Sequence, residues 1–172
     1  MSSSPPLIHP ELRIGQASRT KPGAGLNQDF HGAAEGGGAH QSWGTLVCVA
    51  DGVGDCGDGR LAAEVTVRTL LNDYFATPLG WRGIRALYAV GSSINNWLFH
   101  QGRGITGGLG TTLVAALFRD RMLSVMSAGD SRLYRWREGR LLLLTRDHAY
   151  GPADFSRLTK AVGLDDRFTP DL

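Results

Sequence analysis

The order of apolar and polar positions divides the chain into strands, then helices, then strands again. Leu46-Val47-Cys48-Val49-Ala50 is an unbroken apolar run that ends in Asp51-Gly52. Such a run predicts a central strand buried on both faces. Upstream, residues 13–18 predict a short first strand and residues 27–30 the start of a second. Residues 32–40, with Gly36-Gly37-Gly38, predict a flexible, hairpin-like connection. From residue 59 to 75 the period lengthens: Ala63, Val67, Leu70, Leu71 and Tyr74 share one helical face, with Asp58 as N-cap. A second helix is expected over residues 81–100, its inner stripe made by Ile84, Leu87, Tyr88, Gly91, Ile94, Asn95 and Leu98. After the glycine-rich stretch 102–110 the pattern turns to strands at 111–118, 122–127, 132–137 and 140–145. The last two are joined by a Glu138-Gly139 turn. Residues 156–162 carry a short amphipathic pattern, and 168–172 carry none. Strands, two adjacent helices and a meander make an α+β arrangement, with the helices on one face of an antiparallel sheet.

Composition narrows the class. The 172 residues suit one domain and are 42% hydrophobic, ordinary for a globular protein. A net charge of +2, with scattered Lys and Arg, argues against a nucleic-acid partner. No stretch is apolar enough for a membrane span. Residues 1–10, rich in Ser and Pro, read as a disordered lead-in without a signal-peptide pattern, leaving residues 11–172 as the folded part. Cys48 and Cys56 match no zinc spacing and make a poor disulfide scaffold, so a reducing, cytoplasmic setting is expected.

Three acidic positions stand at strand ends or starts: Asp51, Asp29 in Asn27-Gln28-Asp29, and Asp130 in Gly129-Asp130-Ser131-Arg132. Each alone reads equally as a turn residue. Together they form the kind of oxygen-donor set that magnesium or manganese takes, with Gly52 offering a closely approachable carbonyl. Gly108-Leu109-Gly110-Thr111-Thr112 precedes a strand and lacks a lysine, so it reads as a turn for close sheet packing rather than a phosphate loop. His148 is expected to bond a turn.

Read in order, these stretches resemble the type 2C metal-dependent serine/threonine protein phosphatases of bacteria. The resemblance rests on Asn27-Gln28-Asp29, the run from Asp51 to Cys56, Gly108 to Ala116, Gly129 to Arg135, and Leu144-Thr145-Arg146-Asp147-His148. It implies a β-sandwich flanked by helices with a two-metal site at one end. Asp51 would bridge two manganese or magnesium ions, the Gly52 carbonyl would bind one, Gln28 would ligate where the family usually has Glu, and Asp29 would orient the water that attacks. Asp130 would support the metal cluster. Arg19 or Lys21 would meet the phosphate, because Ala24 stands where many members have Arg. Cys56 replaces a His thought to protonate the leaving group. The implied reaction is hydrolysis of phosphoserine or phosphothreonine on proteins. Gln28 and Cys56 favour an alternative, a catalytically impaired domain that binds a phosphoprotein or regulates an attached kinase. Asn27 to Gly32 and Asn95 to Leu98 look most like the phosphatase half of proteins in which a protein kinase domain follows. Family members continue into further Asp-Gly and Asp-Asn strands, so the chain reads as the N-terminal portion of such a domain.

Overall fold

The computed structural model describes residues 12–20, 22–23, 25–37, 42–53, 58–78, 80–81, 83–151 and 157–172. Strand β1 (Asp29–Glu35) pairs antiparallel with β2 (Thr45–Val53). Two helices follow, α1 (Asp58–Tyr74) and α2 (Gly83–Gln101). A two-residue strand β3 (Gly110–Thr111), then β4 (Leu113–Arg119) and β5 (Met122–Ala128), complete the main sheet in the order β1-β2-β4-β5, with β3 on β2. Two small ribbons lie outside it: β6 (Tyr134–Arg137) with β7 (Arg140–Leu143), and β8 (Ala149–Tyr150) with β9 (Arg157–Leu158). Glu138 and Gly139 both take positive φ, 52° and 75°, which is the turn geometry that matches strand twist in a two-residue hairpin.

The core lies between one face of the sheet and the two helices. Leu46, Cys48 and Ala50 of β2, Leu113, Ala115 and Leu117 of β4, and Met126 of β5 meet Ala63, Val67, Leu70 and Tyr74 of α1 and Leu87, Ile94 and Leu98 of α2. The predicted helical stripes face the core, with Leu71 and Ile84 only partly buried and Tyr88 exposed. Burial holds the Cys48 thiol at a pKa of about 12, so it packs as a small hydrophobe.

Three expectations need correction. Strand β2 is fully covered on one face only: on the other, Thr45 is buried and Val47 half-buried, but Val49 is 44% exposed, pointing away from the helices with Phe118 and Leu123 of the neighbouring strands. An apolar run thus overstated burial. Residues 13–18 form no strand; Leu12 and Ile14 are exposed, so burial does not offset the cost of ordering them. Gly32 is no part of a flexible connection but sits inside β1 opposite Cys48. A Cβ there would lie 2.6 Å from Leu71 Cδ1 and 3.3 Å from Val67 Cγ1, so glycine lets α1 lie close on the strand.

The C-terminal segment is more ordered than its sequence suggests. Thr111 and Val162 exchange backbone hydrogen bonds, and so do Ser127 and Asp171. Phe168 is buried against Tyr88 and over Gly91. Asn95, buried on α2, accepts a bond from Gly163 N–H at 2.8 Å and donates to the Asp165 carbonyl at 2.9 Å. Among the described residues no helix is long and apolar enough to cross a membrane.

Candidate functional site

The strand register brings the first two acidic positions together. Asp29 and Asp51 face each other across β1 and β2, on the sheet face away from the helices. Asn27 Oδ1 accepts the Asp29 N–H at 3.0 Å, an Asx turn that fixes the start of β1. The Gly52 N–H donates to the Gln28 carbonyl at 3.2 Å. Gly52 is required sterically: a Cβ would sit 2.1 Å from the backbone of Gly59, in the first turn of α1. Gly59 is equally constrained, since its own Cβ would meet Gln28 Oε1 at 2.6 Å. Helix α1 therefore starts against the Asp51-Gly52 corner, with Gln28 packed beside it.

Asp51 is held from the other side by the Thr-Thr pair that separates β3 from β4. Its N–H donates to Thr112 Oγ1 at 2.9 Å, and its carbonyl accepts from Thr112 N–H at 2.8 Å and Thr111 Oγ1 at 2.9 Å. Thr112 Oγ1 also pairs with Ser131 Oγ at 2.7 Å, which joins the Asp51 strand to the loop carrying Asp130. The reading of this stretch as a packing turn missed its polar role. The one available signal was a pair of hydroxyl side chains placed where a strand should be continuous.

Electrostatics single out Asp51. Partial burial, the Asp29 charge, a hydrogen bond shared with the Asp29 carboxyl, and the Asp130 charge together push its carboxyl up to about 6. Every charged group acting on it is another carboxylate. Asp51 and Asp29 remain exposed, so solvent screens part of this repulsion. Among the described residues no three His, Cys, Asp or Glu side chains stand close enough to form a metal cage on their own. Two adjoining carboxylates and a third nearby, without an ion pair to a cation among the described residues, are nonetheless a donor set of the kind a hard divalent ion takes.

Other expected site residues are placed less tightly. Arg19 is exposed in the irregular segment 12–20, and among the described residues no ion pair joins it to the carboxylates. Lys21, Ala24 and Cys56 lie outside the described residues. Asp130 follows β5 in the loop after Gly129. Side-chain contacts and a backbone hydrogen bond from His148 N–H to the Gly129 carbonyl tie that loop to the Asp147-His148 stretch. The Arg132 guanidinium grips Asp147 through both carboxylate oxygens and holds its pKa below the usual range. The Gly129 N–H donates to His148 Nδ1 at 3.2 Å, as expected of a histidine that bonds a turn.

No protein-family model matches the chain. The serine/threonine phosphatase stp of Listeria welshimeri is 32% identical over 117 residues, 60% of this chain and 43% of that protein. A Streptococcus pyogenes sequence named for the 2C type of protein phosphatase is 31% identical over 118 residues, 61% of this chain and 44% of its own length. The chain spans less than half the length of these curated relatives. Among solved structures, the Streptococcus agalactiae serine/threonine phosphatase superposes with a TM-score of 0.75 at 25% identity, over 92% of this chain and 69% of that one. The chain is a relative of the type 2C protein phosphatases. PppA, a regulatory component of the type VI secretion system in Pseudomonas aeruginosa, matches with a TM-score of 0.69 and 30% identity, over 86% of this chain and 63% of that one. The sheet-and-two-helix architecture is thus a type 2C fold in the part that the chain spans.

Proposed function

We propose that this chain is the N-terminal portion of a type 2C phosphatase domain that hydrolyses phosphoserine and phosphothreonine on proteins. The placement of Asp29 opposite Asp51, with the Asp130 charge also acting on Asp51, supports the reading, because the repulsion felt by Asp51 would be relieved by a cation. Asp51 and Asp29 would hold manganese or magnesium through their carboxylates, with the Gly52 carbonyl and the Gln28 amide oxygen as neutral donors and Asp130 as the third charge. A divalent ion bound there supplies Lewis-acid chemistry, which activates water and offsets charge on a phosphoryl group.

The protein's own part is placement. Thr111 and Thr112 fix the Asp51 backbone, so the strand end that carries its carboxylate does not have to be ordered when the ion arrives. Asp29 stands opposite and orients the attacking water by accepting a hydrogen bond. Arg19 or Lys21, from the segment before β1, meets the phosphate. The substrate is a phosphoprotein, a protein kinase in the same polypeptide or operon is the partner that would supply it, and the setting is cytoplasmic.

The three carboxylates among the described residues are few for two divalent ions, whose repulsion needs more negative charge to offset it. Binding by the 172-residue chain alone is therefore expected to be weak. Calorimetric titration with manganese, followed by phosphothreonine-peptide hydrolysis in millimolar manganese, tests the reading. Asp51→Asn should abolish measurable binding and lower any hydrolysis about a hundredfold. Undiminished manganese affinity in that variant would remove Asp51 from the site, and no binding by the parent chain at millimolar manganese would overturn the reading.

A further inference from the structure

The segment that carries Asp130 is gripped from a direction the metal reading does not use. Gly129 takes φ +110°, and a Cβ there would lie 2.6 Å from Thr112 Cβ and Cγ2. Its peptide groups are held on the opposite side by one residue. The Gly129 N–H donates to His148 Nδ1 at 3.2 Å, and the Gly129 carbonyl accepts the His148 N–H at 3.0 Å. His148 is only 3% exposed. Because Nδ1 accepts, the proton of the neutral imidazole sits on Nε2. Nε2 lies 3.1 Å from Asp171 Oδ2, without the alignment of a straight hydrogen bond. Asp171 is itself anchored: Lys160 Nζ contacts it at 2.9 Å and Arg146 at 3.2 Å, and its backbone pairs with Ser127 on β5 through two bonds of 2.9 Å. Ser127 and Gly129 are two residues apart, so the path from β5 through Asp171 and His148 returns to β5 just before Asp130.

We propose that His148, backed by Asp171, is a positioning residue that sets where the Gly129-Asp130 peptide places the Asp130 carboxylate relative to Asp51. The proposal rests on the cation-site reading for its consequence but on metal-free geometry for its substance. A histidine whose far nitrogen faces a carboxylate has a fixed tautomer and ring orientation, as metal-ligating histidines backed by a carboxylate do. Here the near nitrogen holds a backbone amide, and the carboxylate it serves is one residue further on.

The test uses substitutions that separate the two ring nitrogens. In His148→Asn the side-chain oxygen can take the place of Nδ1 and accept from Gly129, but it cannot reach Asp171. In His148→Gln the amide reaches the Nε2 position and leaves Gly129 without its acceptor. Two readouts are taken on the 172-residue chain: amide hydrogen exchange at Gly129 without metal, and manganese affinity by calorimetry. Gly129 should be protected in the parent and in His148→Asn, and should exchange fast in His148→Ala and His148→Gln. Manganese affinity should fall about tenfold in the Ala and Gln variants and return to within about threefold of the parent in Asn. A general packing role would make Asn and Gln alike. The proposal is overturned if Gly129 stays protected in His148→Ala or His148→Gln, or if Asn does no better than Gln. If His148→Ala does not fold, the Asn and Gln pair alone decides. If no variant or parent binds manganese, the cation-site reading falls, while the exchange result still decides the role of His148.

Discussion

Replacing Thr112 by Val removes one hydroxyl and changes little else, so its cost can be worked from the bonds that hydroxyl makes. Thr112 is buried and its Oγ1 accepts the Asp51 N–H and pairs with Ser131 Oγ. Val has nearly the same shape, so no cavity opens. The Asp51 N–H, which faces β4 rather than β1, loses its acceptor; an unsatisfied buried donor costs about 1–3 kcal/mol. Ser131 is half-buried and can turn to water, adding about 0.5 kcal/mol. A loss of about 2 kcal/mol results, equivalent to about 4–8 °C in melting temperature for a chain of this size. Thr112→Ser keeps the hydroxyl and drops only the methyl that faces Gly129, and should cost about 1 kcal/mol or less. The assay is thermal unfolding followed by circular dichroism, run on both variants at pH 7. Thr112→Val melting within about 1 °C of the parent, or Thr112→Ser proving the more damaging, would refute the assignment of this hydroxyl as the clamp on Asp51.

The remaining predictions follow from the charges and glycines of the same corner. Asp51→Asn should leave the metal-free chain as stable as the parent at pH 7, or slightly more so, since it removes a carboxylate repelled by Asp29 and Asp130; clear destabilisation in urea would contradict that. The folded Asp51 carboxyl titrates near 6 and the unfolded one near 3.8, so the folded state binds more protons between them. Its contribution should make the metal-free chain less stable as pH rises through that window, and Asp51→Asn should flatten the slope. Asp171 has the opposite sign: Lys160 first, then His148, hold its pKa at about 2, so its contribution is present above the unfolded value and is lost as pH falls toward 2. Asp171→Asn should therefore lower stability at pH 7 and leave it unchanged near pH 2 in the same urea titrations. Gly52→Ala should prevent folding or cost more than about 3 kcal/mol, because the clash is with the Gly59 backbone, whereas Gly15→Ala, with nothing within 4 Å, should be neutral.

What the sequence disclosed, and what it concealed, follows from the range of the interactions involved. Both helices were legible because a 3.6-residue period is a local property, and the buried faces came out as read. The hairpin at Glu138-Gly139 was legible for the same reason. Gly32 was misread because a glycine beside a Gly-rich stretch looks like punctuation; its real cause is Leu71, on an element 39 positions later in the chain. Val49 misled because an apolar run does not say whether its second face has a cover. The three acidic positions were picked out by residue type, but the placement of Asp29 opposite Asp51 needed the β1–β2 register. Asp171 was missed altogether, since nothing near it in sequence marks it as the partner of His148 and Lys160.

The stretches that carried the resemblance turn out to be the two sides of a few tertiary contacts, which brings short motifs far apart in the chain to one place. Asn27-Gln28-Asp29 bonds and faces Asp51-Gly52. Thr111-Thr112 clamps Asp51 and reaches Ser131. Gly129 and Arg132 are held by His148 and Asp147. In this network most groups aimed at Asp51 and Gly129 are backbone amides, carbonyls or hydroxyls, and the charged partners stand further out at Asp147 and Asp171. Such an arrangement fixes the backbone that carries Asp51 and Asp130 without neutralising their carboxylates. A lysine or arginine beside Asp51 would relieve its raised pKa and stabilise the fold, but it would also occupy the place proposed for a divalent ion. Among the described residues the charge at the end of β2 is uncompensated, a local violation of what stability alone would select, and the proposed cation-binding role would give that violation a physical reason.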